Sequence, residues 1–363
     1  MDVTDLLVQV LERKASDLHI SVGSPPVVRI DGELEPLDLP DLDATQTTEL
    51  IYSLLTQEQR RQLENDLEID FSCALPGRAR FRVNAYFQRS NLGAVFRLIP
   101  IEIPRLEDLG LPQVLHEFIT KPRGFVVVTG PTGCGKSTTL AAMIDAINTT
   151  QRRHIMTIED PIEFLHRHKK SLVHQREVGP DTRSFARALK SVLRQDPDII
   201  LVGEMRDAET MSTALTAAET GHLVFATLHT QDAPQTIDRI VDVFAPHQQG
   251  QIRAQLASAL MGIVTQQLLP RCDGAGRVVA CEVLVPTAAV RNLIRQGDTH
   301  QLPSVIQTGG RSGMQAMDAA LAELVREHKI THDVALQRCS DAEGLLRLMA
   351  HSQRAGQRVQ PAA

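Results

Sequence analysis

The segment Gly130-Pro131-Thr132-Gly133-Cys134-Gly135-Lys136-Ser137-Thr138 follows the apolar run Phe125–Thr129 and precedes a helical pattern over Thr138–Asn148. Glycines at 130, 133 and 135 let the backbone curl so that successive N–H groups point inward, and the helix behind adds the positive end of its dipole. That is chemistry for a phosphate. Lys136 is placed to reach the β- and γ-phosphates of a nucleotide, and the Ser137 hydroxyl to ligate Mg²⁺. Cys134 reads as a small packing residue in the loop, although a thiol there also makes a redox-sensitive loop conceivable.

Carboxylates follow at the ends of later apolar runs, where an open α/β sheet binds its ligands. One set is Ile158-Glu159-Asp160-Pro161-Ile162-Glu163; another closes Asp198-Ile-Ile-Leu-Val-Gly203-Glu204. An ordinary NTPase carries an Asp after the second run, to hold Mg²⁺ through water, and then a Glu. Here Gly203 stands in the Asp position, so a carboxylate must come from elsewhere. Glu159, Asp160 and Glu163 are the nearest candidates, for water activation or indirect metal coordination beside Glu204. His222 and His229 flank the run Leu223–Leu228, and a histidine at its C-terminal end is positioned to sense a γ-phosphate; histidines on a strand also serve structure alone. His154, His166, His168 and His174 have no metal-ligand spacing. Arg80, Arg82 and Arg97 sit on alternating segments in the first hundred residues. Exposed arginines are ordinarily solubilising, but hydrolysis in assemblies commonly draws on a cation supplied in trans.

The elements that must position these residues fall into an N-terminal and a C-terminal group. Thr4–Arg13 is amphipathic, Asp17–Ser21 and Val27–Asp31 read as strands, and Asp31-Gly32 is a hairpin signal. Leu50, Ile51, Leu54, Leu55 and Leu63 predict one long helix over Thr45–Asp66. Arg78–Phe87 alternates, with Ala79, Phe81, Val83, Ala85 and Phe87 on one side and Arg80, Arg82 and Asn84 on the other, and Gly93–Ile99 reads as its hairpin partner. This is a small α+β module over 1–99. Ile-Pro and Leu-Pro pairs between Pro100 and Pro112 suggest a linker over 100–114. From 115 to 350 the strands Phe125–Thr129, Ile155–Ile158, Ile199–Val202 and Leu223–Thr227 alternate with helices, which predicts an α/β domain with a parallel sheet covered on both faces. After Pro270 the pattern is mostly helical, and 351–363 reads as a loose tail.

Composition narrows the class. The 363 residues suffice for two domains, and 42% hydrophobic with 23% charged residues is the make-up of a folded soluble protein. No apolar run reaches the ~18 residues of a membrane span, and the acidic opening Met1-Asp-Val-Thr-Asp resembles no export signal, so the expectation is cytosolic. Five scattered cysteines without a Cys-x-x-Cys pair argue against a disulfide framework or zinc site. A net charge of −6 and 3% aromatics argue against a nucleic-acid partner.

Four segments together resemble, in order, the motifs of the type IV pilus retraction ATPases of the secretion-ATPase superfamily. They are Gly130–Ser137 (Walker A), Thr157–Phe164 (Asp box), Asp196–Asp207 (Walker B) and Ala217–His229 (His box). The resemblance runs from Met1 to about Asp341. It implies a PAS-like N-terminal domain and a RecA-like ATPase domain, ATP and Mg²⁺ as cofactors, and a homohexameric ring at the inner-membrane pilus base. A platform protein of the pilus machine and a paralogous retraction ATPase are the implied partners. Glu204 and Glu163 would share metal coordination and water activation, with His229 as γ-phosphate sensor. Arg82 and Arg97 would approach the nucleotide across an interdomain cleft or a subunit boundary.

Assembly and secretion ATPases of the superfamily carry a four-cysteine zinc insertion and a longer N-terminal region. Here Pro270–Cys281 holds only Cys272 and Cys281. Ala289-Val290-Arg291-Asn292-Leu293-Ile294-Arg295-Gln296 resembles the family's retraction motif Ala-Ile-Arg-Asn-Leu-Ile-Arg-Glu, with Val290 and Gln296 as departures. It reads as a short amphipathic helix with Val290, Leu293 and Ile294 on one face. An accessory (PilU-like) retraction ATPase is the nearest alternative. A nucleic-acid translocase would be stimulated by DNA, and a slow nucleotide sensor would bind ATP without releasing phosphate.

Overall fold

The computed structural model describes residues 2–30, 32–75, 78–99, 102–274 and 276–356, the side chains of 351–356 excepted. Asp31 of the expected hairpin turn, Pro100 and Ile101 of the expected linker, and 357–363 of the expected tail lie outside the described residues. Contacts divide the chain into two compact units: Met1–Glu102 with Glu163–Leu165, and Ile103–Ile162 with His166–Ala363.

The first unit contains α1 (Val3–Glu12), β1 (Asp17–Ile20), β2 (Val27–Ile30), β3 (Glu33–Pro36), α2 (Ala44–Tyr52), α3 (Gln57–Asp66), β4 (Glu68–Leu75), β5 (Ala79–Gln88) and β6 (Asn91–Ile99). The strands form one antiparallel sheet in the order β3-β2-β1-β6-β5-β4. Period-two alternation on β5 sends Phe81, Val83 and Ala85 into a core shared with Leu6 and Val10 of α1 and Leu50 and Ile51 of α2. The single helix expected over Thr45–Asp66 is two. Thr56 Oγ1 accepts from Gln59 N–H, and Gln59 Oε1 accepts from Thr56 N–H, a capping box that starts α3 afresh.

The second unit begins inside the expected linker, because Leu106 is buried against the core of the sheet. Its first elements are α4 (Val114–Phe118), β7 (Gly124–Thr129), α5 (Lys136–Thr150), β8 (His154–Glu159), β9 (Leu172–Glu177), α6 (Phe185–Val192), β10 (Ile199–Val202), α7 (Ala208–Glu219) and β11 (Leu223–Leu228). Then come α8 (Ala233–Asp242), α9 (Pro246–Ala259), β12 (Leu260–Pro270), β13 (Arg277–Leu284), α10 (Ala288–Gln296), α11 (Leu302–Thr308), α12 (Met317–Arg326), α13 (His332–Leu336) and α14 (Ala342–Gly356).

The sheet runs β13-β12-β7-β11-β10-β8-β9, parallel except for the β12–β13 hairpin at one edge. Residues Phe125 and Val127 face one layer, built by α6 to α11, while Val126 and Val128 face the other, built by α4 and α5. Burial on both faces is why the central strands read as unbroken apolar runs. Two corrections follow. β9 is an edge strand with no long apolar run to announce it, and β13 lies in the region after Pro270 where a mostly helical pattern was expected. A third cluster packs α12 to α14 against Leu269 and Ala280 of that hairpin. Among the described residues no helix is long and apolar enough to cross a membrane.

Candidate active site

The parallel strands β7, β8, β10 and β11 end side by side, so their following residues converge on one edge of the sheet. The chain leaves β7 toward β8 on one side and returns from β11 to β12 on the other, which makes the β7/β11 boundary the switch point of the sheet. The glycine-rich loop opens there. Gly130 has φ 135°, and a Cβ on it would sit 2.4 Å from the Gln266 carbonyl oxygen and 2.7 Å from Cys134 Sγ, so only glycine fits. Gly133 and Gly135 are also left-handed, and α5 starts behind Gly135 without a side-chain cap. Its first N–H groups therefore remain to receive an anion. Lys136 is 8% exposed, and its Nζ donates to the carbonyls of Gly130 (2.8 Å) and Pro131 (3.0 Å), which uses two of three ammonium hydrogens. Ser137 and Thr138 are half-buried, and Pro131, Thr132 and Gly133 are exposed. Cys134 is buried at the loop's base, and burial pushes its thiol pKa up.

At the end of β10, Glu204 lies between a guanidinium and an imidazole. Its Oε2 accepts from Arg206 Nη2 at 2.7 Å and its Oε1 stands 3.3 Å from His229 Nε2. The Arg206 guanidinium, with His229 adding, holds the Glu204 carboxyl below its ordinary range although partial burial opposes this. Gly203 is fixed from both sides. Its N–H donates to the Ile158 carbonyl at 2.8 Å, and its own carbonyl accepts from the Thr227 hydroxyl. A Cβ here would lie 3.1 Å from Ile158 O and 3.2 Å from Glu159 Cα. The strand packing thus leaves little room for the carboxylate that other NTPases carry at this position.

The same crowding puts Glu159 beside Gly203. Its Oε1 accepts from Thr157 Oγ1 at 2.6 Å and from Gln175 Nε2 at 3.1 Å. Asp160 is exposed and close enough to contribute to the field on Arg206. Glu163 is exposed and groups with the first unit, together with Phe164 and Leu165. His222 is not brought to this edge. It precedes β11 and bonds the Ala217 carbonyl through Nδ1 at 2.9 Å, whereas His229 follows the strand, on the order of 23 Å further along the extended chain. Arg206, Thr157, Thr227 and Gln175 were given no role in the site from sequence. Arg206 alone carried a readable signal, a cation two positions after Glu204.

In the first unit Arg82 and Arg97 are direct cross-strand partners on β5 and β6. Like charges at that spacing repel, and each has a carboxylate: Arg97 Nε donates to Asp17 Oδ1 at 2.9 Å, while Arg82 Nε stands 3.9 Å from Asp70. The Ala289–Gln296 segment lies on α10. Val290 and Ile294 are buried, Leu293 is half-buried, and Ala289, Asn292, Arg295 and Gln296 are exposed. Arg291 turns inward and donates to the carbonyls of Ala257, Ser258 (2.9 Å) and Leu260 (3.1 Å), closing the C-terminal end of α9. Among the described residues no three His, Cys, Asp or Glu side chains cluster as metal ligands.

The family model for "Type II/IV secretion system protein" matches residues 1–292. The chain belongs to that family. Within the type II/IV secretion system proteins it is 51% identical over 343 residues to the "Type IV pilus retractation ATPase PilT" of Pseudomonas aeruginosa, covering 94% of this chain and 99% of that one. It is also 51% identical over 320 residues to a "Twitching motility protein" of Neisseria gonorrhoeae, covering 88% and 86%. The solved structure of the pilus retraction motor PilT with bound ADP superposes with a TM-score of 0.90 at 48% identity, over 96% of this chain and 99% of that one.

Proposed function

We propose that this chain is an ATPase motor that powers retraction of type IV pili, acting as a homohexamer at the cytoplasmic face of a membrane-embedded pilus base. The observation that carries the reading is the convergence of the Gly130–Ser137 loop, Glu204 and His229 at the switch point of the sheet, in a chain half identical to a pilus retraction ATPase. The loop fits a nucleotide triphosphate: left-handed glycines and an uncapped helix start supply N–H donors, and Lys136 supplies the cation. Mg²⁺, when bound, neutralises developing charge on the phosphates. Ser137 would ligate it and Glu204 would hold it through water, with phosphate oxygens and water filling the remaining positions.

Glu204 keeps its charge because Arg206 and His229 flank it, so it orients a water and accepts hydrogen bonds at any physiological pH. Glu159 is already an acceptor for Thr157 and Gln175, which suits it to shaping the site more than to taking a proton. For Glu163 the role is the one the resemblance implies, a share in metal coordination and water activation. His229, hydrogen-bonded toward Glu204, is placed to register a γ-phosphate. For Arg82 and Arg97 the reading remains the one the resemblance implies.

Purified hexamers of the wild type, Lys136→Ala and Glu204→Gln test this through steady-state phosphate release. Loss of about 10²-fold or more in kcat is expected for both. Turnover by either variant at the wild-type rate would refute the mechanism, and strong stimulation by added DNA would favour a translocase.

A further inference from the structure

Glu282 on β13 has no part in the chemistry above, yet its carboxylate lies between two helix N-termini. Its Oε1 accepts from Ala233 N–H, the first residue of α8, at 2.8 Å. The Met317 N–H, at the start of α12, faces the same carboxylate.

The sheet register makes this position relevant to catalysis. Glu282 is opposite Thr265 on β12, Thr265 is opposite Thr129 on β7, and Thr129 is opposite Leu228 on β11. The two threonine hydroxyls in that row bond each other at 2.9 Å. At ~4.8 Å per strand, Glu282 lies ~10 Å from the strand end that opens into the phosphate loop. The last residue of the row, Leu228, precedes His229. The segment His229–Asp232 therefore hangs between two fixed points, the end of β11 and the first turn of α8. Within that turn Thr230 and Thr236 share a hydroxyl bond of 2.7 Å, and Thr236 donates to the Asp232 carbonyl at 2.6 Å. These bonds make the segment and the start of α8 one body, and Glu282 holds that body at Ala233.

We propose that Glu282 is a positioning residue for His229: its carboxylate ties the first turn of α8 to β13 and so holds the segment His229–Asp232 with the imidazole toward Glu204. The inference rests on the reading that His229 takes part in turnover.

The groups facing Glu282 are Asp232 at the N-cap of α8, Asp318 in the first turn of α12, and the N–H groups of Ala233 and Met317. Burial, with the two aspartates adding, pushes the Glu282 carboxyl up to about 7, against the pull of the N–H groups that face it. The charged form binds the start of α8 more strongly than the neutral acid does. Turnover is therefore expected to rise with pH through an ionisation near neutrality, as the carboxylate forms.

The test is kcat and KM for ATP across neutral pH, on assembled wild type, Glu282→Gln and His229→Asn. Glu282→Gln should keep the wild-type KM, lose the rise through neutrality, and turn over about tenfold more slowly above about pH 8. A wild-type pH profile and kcat in Glu282→Gln would overturn the proposal, as would a KM that worsens in step with a fall in melting temperature. Amide hydrogen exchange in the unmutated protein gives a second reading. Protection of peptides covering Ala233, corrected for intrinsic rates, should be about tenfold greater at about pH 8 than at about pH 6; equal protection would overturn the tie. If His229→Asn turns over normally, the underlying reading of His229 fails. If it is impaired while Glu282→Gln is unaffected, only the tie fails.

Discussion

Placing at position 203 the aspartate that other NTPases carry there should damage this protein instead of strengthening its metal site. Gly203 sits between β8 and β11, its N–H on Ile158 O at 2.8 Å and its carbonyl on the Thr227 hydroxyl. A Cβ would meet Ile158 O at 3.1 Å and Glu159 Cα at 3.2 Å, both backbone atoms of a central strand that cannot swing away. Overpacking of this kind costs ~1–3 kcal/mol. Removing a glycine from the unfolded chain returns ~0.4–1 kcal/mol, so Gly203→Ala should lose roughly 0.5–2 kcal/mol. Gly203→Asp adds a carboxylate facing a carbonyl oxygen and the Glu159 and Glu204 side chains, with a further ~1–3 kcal/mol for an acceptor lacking a donor. At ~2–4 °C per kcal/mol for a domain of this size, Ala should lower Tm by a few degrees and Asp by roughly 5–15 °C. Scanning calorimetry of the three proteins, with phosphate release measured well below the transitions, decides it. A Gly203→Asp protein that melts within ~2 °C of wild type and turns over normally would refute the steric reasoning.

Arg291→Lys should lower Tm by a few degrees, because an ammonium cannot replace a planar fork that serves the three carbonyls at the end of α9; an unchanged melt would show those carbonyls to be satisfied otherwise. Alkylation of the native protein at about pH 8 should label exposed Cys272 and spare Cys134 and Cys281, whose thiols burial pushes up, Cys281 to about 12. Peptide mass spectrometry reads this directly, and rapid labelling of Cys134 would revive a redox-sensitive loop.

Much of the central sheet was legible because β7, β10 and β11 are buried on both faces and leave apolar runs that nothing else in a soluble chain requires. The strands that escaped notice are those whose pairing is decided by neighbours. β9 is Leu-Val-His-Gln-Arg-Glu, apolar only in its first two residues, and only its place beside β8 makes it a strand. The break between α2 and α3 was written locally, in Thr56 and Gln59, but the leucines on either side keep a helical spacing that hides it. In the site, glycine spacing and the Lys-Ser pair announced the loop, whereas the cation beside Glu204 and the hydroxyl on Gly203 come from side chains that meet only after folding.

The sequence alone determined that this chain has a phosphate loop, carboxylates at strand ends, a histidine after a buried strand, and a family. Those are properties of local spacing, since a tight turn and a buried strand each constrain a few consecutive residues. Tertiary structure decided which of the candidates share a site. Two histidines that bracket one strand are equivalent in sequence, yet a strand is extended, so His229 meets Glu204 while His222 bonds Ala217 at the far edge. Gly203 is read from sequence as a missing carboxylate, and from the fold as a residue with a neighbouring backbone 3.1 Å from where its side chain would begin.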